Sequence, residues 1–201
     1  MKTLKYENRE EWLAARRGKI TGTRLKDIVV KRGTGRKLGF YELIAERLAI
    51  EPDSEENPMD RGHRLEEEAI ERFKEETGKK VDTTLKILQR DDNPNMAYSP
   101  DGTIGKKADV EVKCLSSARH IEALLTQKVP DEYEFQVLQG FIVNDDLETR
   151  YIVFYDPRIP MKDYFVIEVK RADVAQQIEE YLAYERAVLQ EVNDIVVQLS
   201  F

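Results

Sequence analysis

Residues 99–114 read S-P-D-G-T-I-G-K-K-A-D-V-E-V-K-C, and this stretch restricts the chain's architecture more than any other. Ser-Pro-Asp-Gly is turn chemistry, and the A-D-V-E-V-K that follows has the two-residue period of a strand. Successive strand side chains alternate faces, so Glu111 and Lys113 point one way and Val112 the other. Val110 and Val112 suit a packed sheet face. Glu and Lys do not, so their face must look into a cleft or into water. If the turn folds Asp101 back beside Glu111, two carboxylates and an ammonium converge on one point.

The remaining sequence narrows what can surround that point. A chain of 201 residues, 41% apolar and 35% charged, is expected to form one domain over 1–201 with a substantial core. No apolar run reaches membrane-spanning length and no secretory h-region follows the start. A single cysteine excludes a disulfide framework and any cysteine-held zinc or iron–sulfur site, and the expected compartment is the cytoplasm. The net charge of −7 argues against coating nucleic acid with the whole surface, but not against an enzyme whose acidic residues gather at a metal.

In chain order, 8–17 reads as a helix capped by Asn8, and a second helix opens at Lys19-Ile20-Thr21-Gly22-Thr23 and runs through Val30. Residues 21–23 are either an ordinary hydroxyl cap or, with Arg16 upstream, an anion site at a helix N-terminus. K-R-G-T-G-R-K-L-G, 31–39, is a basic loop, and a helix from about Phe40 to Ile50 follows. Residues 60–77 form an amphipathic helix with Leu65, Ala69, Ile70 and Phe73 on its apolar stripe and Gly78 as its stop. Glu66 lies at the edge of that stripe, where a carboxylate either reaches a cleft or is one more surface glutamate. Short strands are expected at 81–90, 95–99 and 108–114, then a helix after Ser116 and a second over 131–144. The latter places Gln136 one turn from Tyr133 and Gln139. Strands 149–155 and 164–169 and a long helix over about 172–197 complete a mixed α/β domain with one central sheet.

Asp101 and Glu111, with a third carboxylate from a helix, make an all-oxygen donor set of the kind Mg²⁺ or Mn²⁺ prefers. Such a set suits in-line displacement at phosphorus assisted by two metal ions, with Lys113 orienting water or stabilising charge. The spacing of these residues also arises by chance in charged chains, where it marks only a strand end. Competing chemistry is lacking: His63 and His120 are far apart and without triad partners, Cys114 suits a small packing role, and no phosphate-binding loop of the G-x4-G-K-S/T type is present.

P-D followed by E-V-K resembles the PD-(D/E)XK nuclease signature, and the chain as a whole resembles the phage lambda-type alkaline exonucleases, the YqaJ-like viral recombinases. W-L-A-A-R-R-G-K-I-T-G-T (12–23), G-H-R-L-E (62–66), S-P-D-G (99–102), Y-E-F-Q-V (133–137) and Y-D-P-R (155–158) are similar to that family's motifs and stand in the same order. The resemblance implies a restriction-endonuclease-like core: a central mixed sheet flanked by helices, with a long C-terminal helix. It implies that Asp101 and Glu111, with the Val112 carbonyl and Glu66, hold two Mg²⁺ ions for which Mn²⁺ substitutes. Lys113 and Gln136 would then position water, and Arg16 and Thr23 would bind a 5′-terminal phosphate.

The activity implied is 5′→3′ digestion of one strand of linear duplex DNA, leaving a 3′ single strand for an annealing partner, in a ring-shaped homotrimer and in the cytoplasm of a bacterial host if the chain is phage- or prophage-encoded. Thr23 stands where serine is usual, Gly22 where alanine is, and Leu138 at the place of a second glutamine, with Gln139 one position on. Composition alone suggests that Lys31, Arg32, Arg36 and Lys37 touch the DNA backbone. The alternatives are a PD-(D/E)XK endonuclease of restriction or repair type and a non-catalytic DNA-binding or assembly protein with this fold.

Overall fold

A computed structural model describes residues 9–15, 17, 33, 35–48 and 58–199. The helices are α1 (Arg9–Ala14), α2 (Leu38–Arg47), α3 (Pro58–Thr77), α4 (Ser117–Thr126), α5 (Glu134–Val143) and α6 (Ala175–Leu199). The strands are β1 (Leu88–Arg90), β2 (Asn93–Tyr98), β3 (Gly102–Ile104), β4 (Ala108–Lys113), β5 (Thr149–Tyr155) and β6 (Tyr164–Lys170). Single 3₁₀ turns at Asp131–Tyr133 and Arg171–Val174 lead into α5 and α6.

Among the described residues the strands form two sheets rather than the one expected. The main sheet has the order β3-β4-β5-β6, and β1 pairs with β2 as a separate antiparallel ribbon. The main sheet is mixed: β4 and β5 run parallel, joined by the crossover through α4 and α5, and both outer pairs are antiparallel.

Strand alternation sorts the two sheet faces. Val110 and Val153 pack with Ala69 and Phe73 of α3, with Val112 and Tyr151 beside them. On the other face Ile152 and Phe154 meet Leu138, Phe141 and Ile142 of α5 and Ile178 of α6. Phe73, Phe141, Ile152 and Phe154 are fully buried, each contributing roughly 1.5–3 kcal/mol from the apolar surface it removes from water. Helices therefore cover both faces of the sheet, the arrangement a strongly apolar parallel pair requires.

The boundaries differ from the sequence expectations in ways that have physical causes. Residues 81–87 do not form a strand. Asp82 alone bridges to Thr103, and Leu85 and Ile87 are exposed. The turn near 91 spans Asp91-Asp92, so Asn93 and Pro94 belong to β2, an outer strand that tolerates proline. β3 carries no sequence signal of its own, because Gly-Thr-Ile is too short to show a period. It lies against the bridge because Gly102 has no Cβ; one placed there would run into Val81 Cγ1. The basic segment ends at Lys37, where α2 begins earlier than Phe40, and α1 stops at Ala14. The expected helix at 19–30 lies outside the described residues. No described helix is long and apolar enough to cross a membrane.

Candidate active site

The β3–β4 hairpin turns at Gly105-Lys106-Lys107, with Gly105 at φ 61°, and not at the Pro-Asp-Gly segment expected to fold the chain back. Its register pairs Gly102 with Val110, so the next residue outward on one strand, Asp101, comes opposite Glu111 on the other. Asp101 Oδ2 accepts the Val112 backbone N–H at 2.7 Å, which fixes the carboxyl against β4. Glu111 and Lys113 share the face opposite Val110 and Val112, as alternation requires. That face is closed rather than solvent-lined, with Glu111 only 4% and Lys113 only 8% exposed.

A buried charge must be paired, and here the pairing is shared. Lys113 Nζ donates to Glu111 Oε1 at 2.7 Å and to Gln136 Oε1 at 2.9 Å. Gln136 Nε2 donates to the same Glu111 oxygen at 2.5 Å. The Tyr133 ring lies 4.8 Å from the ammonium, on the face where a cation is attracted. The order of residues on α5 explains this. The 3₁₀ turn brings Tyr133 alongside, and Gln136 follows in the first turn of the helix, above the end of β4.

Asp101 feels the crowding. Burial, then the neighbouring Glu111 charge, push its carboxyl up to about 7, against the Val112 N–H and Lys113; Glu66 adds to the upward push. Glu66 is half-buried on α3 and bears on Asp101 across the strand ends. The three carboxylates are not drawn into a preformed ligand cage: among the described residues no group of three His, Cys, Asp or Glu side chains is gathered closely enough to hold a metal ion.

Behind the site lie residues that sequence reasoning did not select. Arg150 on β5 is opposite Asp109 on β4 in the parallel register. Its Nε donates to both Asp109 oxygens, at 2.9 and 3.1 Å. Burial raises the Asp109 carboxyl above its ordinary value despite the guanidinium beside it. The signal available in sequence was weak: an acid on one strand and a base on another, 41 residues apart, with nothing local to pair them.

The Y-D-P-R residues are structural. Asp156 is fully buried and accepts from Ser117 Oγ at 2.5 Å and from Arg158 Nε at 2.7 Å, tying the loop after β5 to the start of α4. Leu138 lies in the core, and Gln139 turns to Ala97 O and Glu185, so no second amide reaches Glu111. Arg36 stacks on Phe40, with its Cζ 5.1 Å from the ring centre, and Lys37 precedes the first turn of α2. Arg16, Thr23, Lys31 and Arg32 lie outside the described residues.

Comparison with solved structures finds the fold in an alkaline exonuclease, LHK-Exo, from Laribacter hongkongensis. The match has 29% identity and a TM-score of 0.54, over 95% of this chain and 100% of that one. LHK-Exo in complex with dAMP matches with 29% identity, the same coverage and a TM-score of 0.55. The core is thus the PD-(D/E)XK type that the motifs implied. No curated protein sequence matches. The model of the YqaJ-like viral recombinase domain matches residues 11–146, more than half of the chain and every motif from the tryptophan segment to Gln136. The chain belongs to the YqaJ-like viral recombinase domain family.

Proposed function

We propose that the chain is a metal-dependent 5′→3′ exodeoxyribonuclease that digests one strand of linear duplex DNA from 5′-phosphorylated ends. The remaining 3′ single strand would serve recombination by annealing. The observation that carries this reading is the meeting of Lys113 and Gln136 on Glu111 Oε1, with the Asp101 carboxyl fixed to the N–H of the next residue, Val112. Family membership and the likeness to an alkaline exonuclease support the nuclease class.

The donor set fits hard divalent cations. Asp101 and Glu111 lie beside Lys113, and burial, then the Glu111 charge, raise the Asp101 carboxyl. Mg²⁺ characteristically binds through one or two carboxylates and fills its remaining positions with water and substrate phosphate. Two converging carboxylates are therefore enough. Asp101 and Glu111, with the Val112 carbonyl and Glu66, would hold two Mg²⁺ ions, or Mn²⁺ in their place. When bound, these ions supply Lewis acidity to the attacking water and to the leaving 3′-oxygen.

The chain's own groups then do the positioning. Lys113 has three hydrogens and uses two on Glu111 and Gln136, which leaves one to direct at a water or a phosphoryl oxygen. Its positive charge lies where negative charge builds on phosphorus, inside a site dry enough for that charge to count. Gln136 bonds both the ammonium and the carboxylate, and so ties Lys113 and Glu111 to one another through the protein. Arg16 and Thr23 are proposed as the 5′-phosphate clamp that gives the digestion its polarity. A homotrimeric ring and a single-strand annealing partner complete the proposal.

End-labelled linear duplex carrying 5′-phosphate or 5′-hydroxyl, incubated with and without Mg²⁺, tests metal dependence, polarity and the end pocket together. Release from the 5′-phosphorylated strand only with metal is the expected result. Cutting of covalently closed duplex would indicate an endonuclease instead. Glu111→Ala should lose at least about 10²-fold in rate, and full activity in that variant would remove the catalytic assignment.

A further inference from the structure

We infer that Arg150 is a positioning residue of this centre: its buried guanidinium fixes the far oxygen of Glu111 and the backbone of Gln136 at once, so that the metal-bearing strand and the water-orienting helix keep one relative placement. The inference rests on the nuclease reading above. Neither the motifs nor the family match, which ends at residue 146, includes this arginine.

The contacts divide the planar fork with little left over. Nε takes Asp109, Nη1 donates to the carbonyls of Gln136 and Val137 at 2.7 and 2.8 Å, and Nη2 reaches Glu111 Oε2 at 3.4 Å. Cζ lies 5.3 Å from the centre of the Tyr98 ring. Arg150 is 0% exposed. Glu111 is therefore held from two sides, with Lys113 and Gln136 on Oε1 and Arg150 on Oε2, and cannot rotate about its carboxyl bond without breaking one set. The same guanidinium grips the main chain of the residue whose amide occupies Oε1. A movement of α5 away from β4 would carry Gln136 off both Lys113 Nζ and Glu111 Oε1.

Stability alone gives a poor reason for this arrangement. A buried ion pair is often no better than apolar residues of equal volume, and Asp109 would already neutralise the arginine. Gly140 shows the space reserved for it: a Cβ there would stand 2.5 Å from both Cζ and Nη1 of Arg150. The glycine costs helix stability, and its absence of a side chain is what lets α5 settle onto the guanidinium. Lysine would not substitute, because a point ammonium cannot span a carboxylate, two carbonyls and a second carboxylate.

The test compares Arg150→Lys, the neutral pair Arg150→Gln with Asp109→Asn, and Gly140→Ala against wild type and against Ile178→Ala. The last is a core variant in the apolar cluster that α5 packs into, used to match the loss in melting temperature. Each is assayed on linear duplex well below its own melting transition, with kcat, KM for DNA and the Mg²⁺ concentration for half-maximal rate as readouts. For the folded Arg150 and Gly140 variants kcat should fall on the order of 10²-fold, with KM for DNA nearly unchanged and more Mg²⁺ required. Ile178→Ala should keep kcat near wild type at equal thermal loss. If any folded Arg150 or Gly140 variant retains wild-type kcat and metal requirement, or if Ile178→Ala loses as much, the positioning role is wrong. Gly140→Ala keeps the buried charges and so serves where the arginine variants do not fold. Failure of the nuclease reading is distinguishable, since it would appear as metal-independent or absent cleavage in wild type, or as full activity in Glu111→Ala.

Discussion

Replacing Asp101 with Asn should stabilise the metal-free protein at alkaline pH while abolishing cleavage. The carboxyl is held near 7 by burial and by Glu111, against an ordinary 3.8. The folded chain thus keeps a proton that the unfolded chain releases from about pH 4 upward. The resulting penalty on folding is absent in strong acid, grows through that interval and is complete above about pH 7. At about 1.36 kcal/mol per pH unit, the full penalty amounts to at most about 4 kcal/mol. For a chain of this size each kcal/mol corresponds to roughly 2–4 °C in melting temperature. An asparagine is isosteric, is never charged, and its Oδ1 can still accept the Val112 N–H that Asp101 accepts. Melting curves in EDTA at pH 8, 6.5 and 5 read the difference directly. Asp101→Asn should melt several degrees above wild type at pH 8, and the gap should shrink by more than half at pH 5. A variant that melts at or below wild type at pH 8, or a gap that does not vary with pH, would refute the electrostatic account of the site.

Three further predictions rest on other parts of the chain. Phe73→Ala empties the α3 side of the sheet, where the ring is fully buried, and should cost about 3–5 kcal/mol in urea unfolding. His120 donates Nε2–H to Lys162 O at 2.8 Å, its Nδ1 has no partner among the described residues, and burial holds its pKa below the ordinary 6.5. Its contribution to stability is complete above about pH 6.5 and is lost as pH falls towards the folded value, so His120→Gln should flatten that acid-side decline in melting temperature. Joint replacement of Lys31, Arg32, Arg36 and Lys37 by Ala should reduce the slope of log affinity for DNA against log salt by about 0.9 for each phosphate that is no longer neutralised. An unchanged slope would remove the basic segment from the DNA path.

The strand that carries Glu111 and Lys113 was legible in sequence because its determinants are local. Two-residue alternation sorts Glu111 and Lys113 onto one face, and Asp101 does come opposite Glu111. The turn that brings it there, however, is Gly105-Lys106-Lys107 and not Pro100-Asp101-Gly102, whose glycine already belongs to β3. The amphipathic stripe of α3 and the strand 149–155 were legible for the same reason: period and composition act over a few residues. The sequence V-D-T-T-L-K-I has strand composition at 81–87, yet composition cannot supply a partner, and only Asp82 found one. Arg150 was invisible because its partners lie 13 to 41 residues away, and a lone arginine within T-R-Y-I-V-F-Y suggests a solvent-facing position. Its place is dictated by the β4–β5 register, which no local pattern states.

The hairpin also bears on the order in which the centre comes into being. Asp101 and Glu111 are joined by a short antiparallel turn, which closes on the order of microseconds. The Asp109–Arg150 pair needs the parallel crossover through α4 and α5, a slower and more costly closure. During refolding the acidic pair, with Lys113 of the same strand beside it, is therefore expected to exist before its guanidinium arrives. Pulsed hydrogen exchange should find the amides of 102–104 and 108–110 on the β3 edge protected ahead of those in 149–155. Simultaneous protection would mean that the hairpin and the crossover form in one step. On this route a divalent ion in the refolding buffer would meet its two carboxylates before the protein's own arginine does.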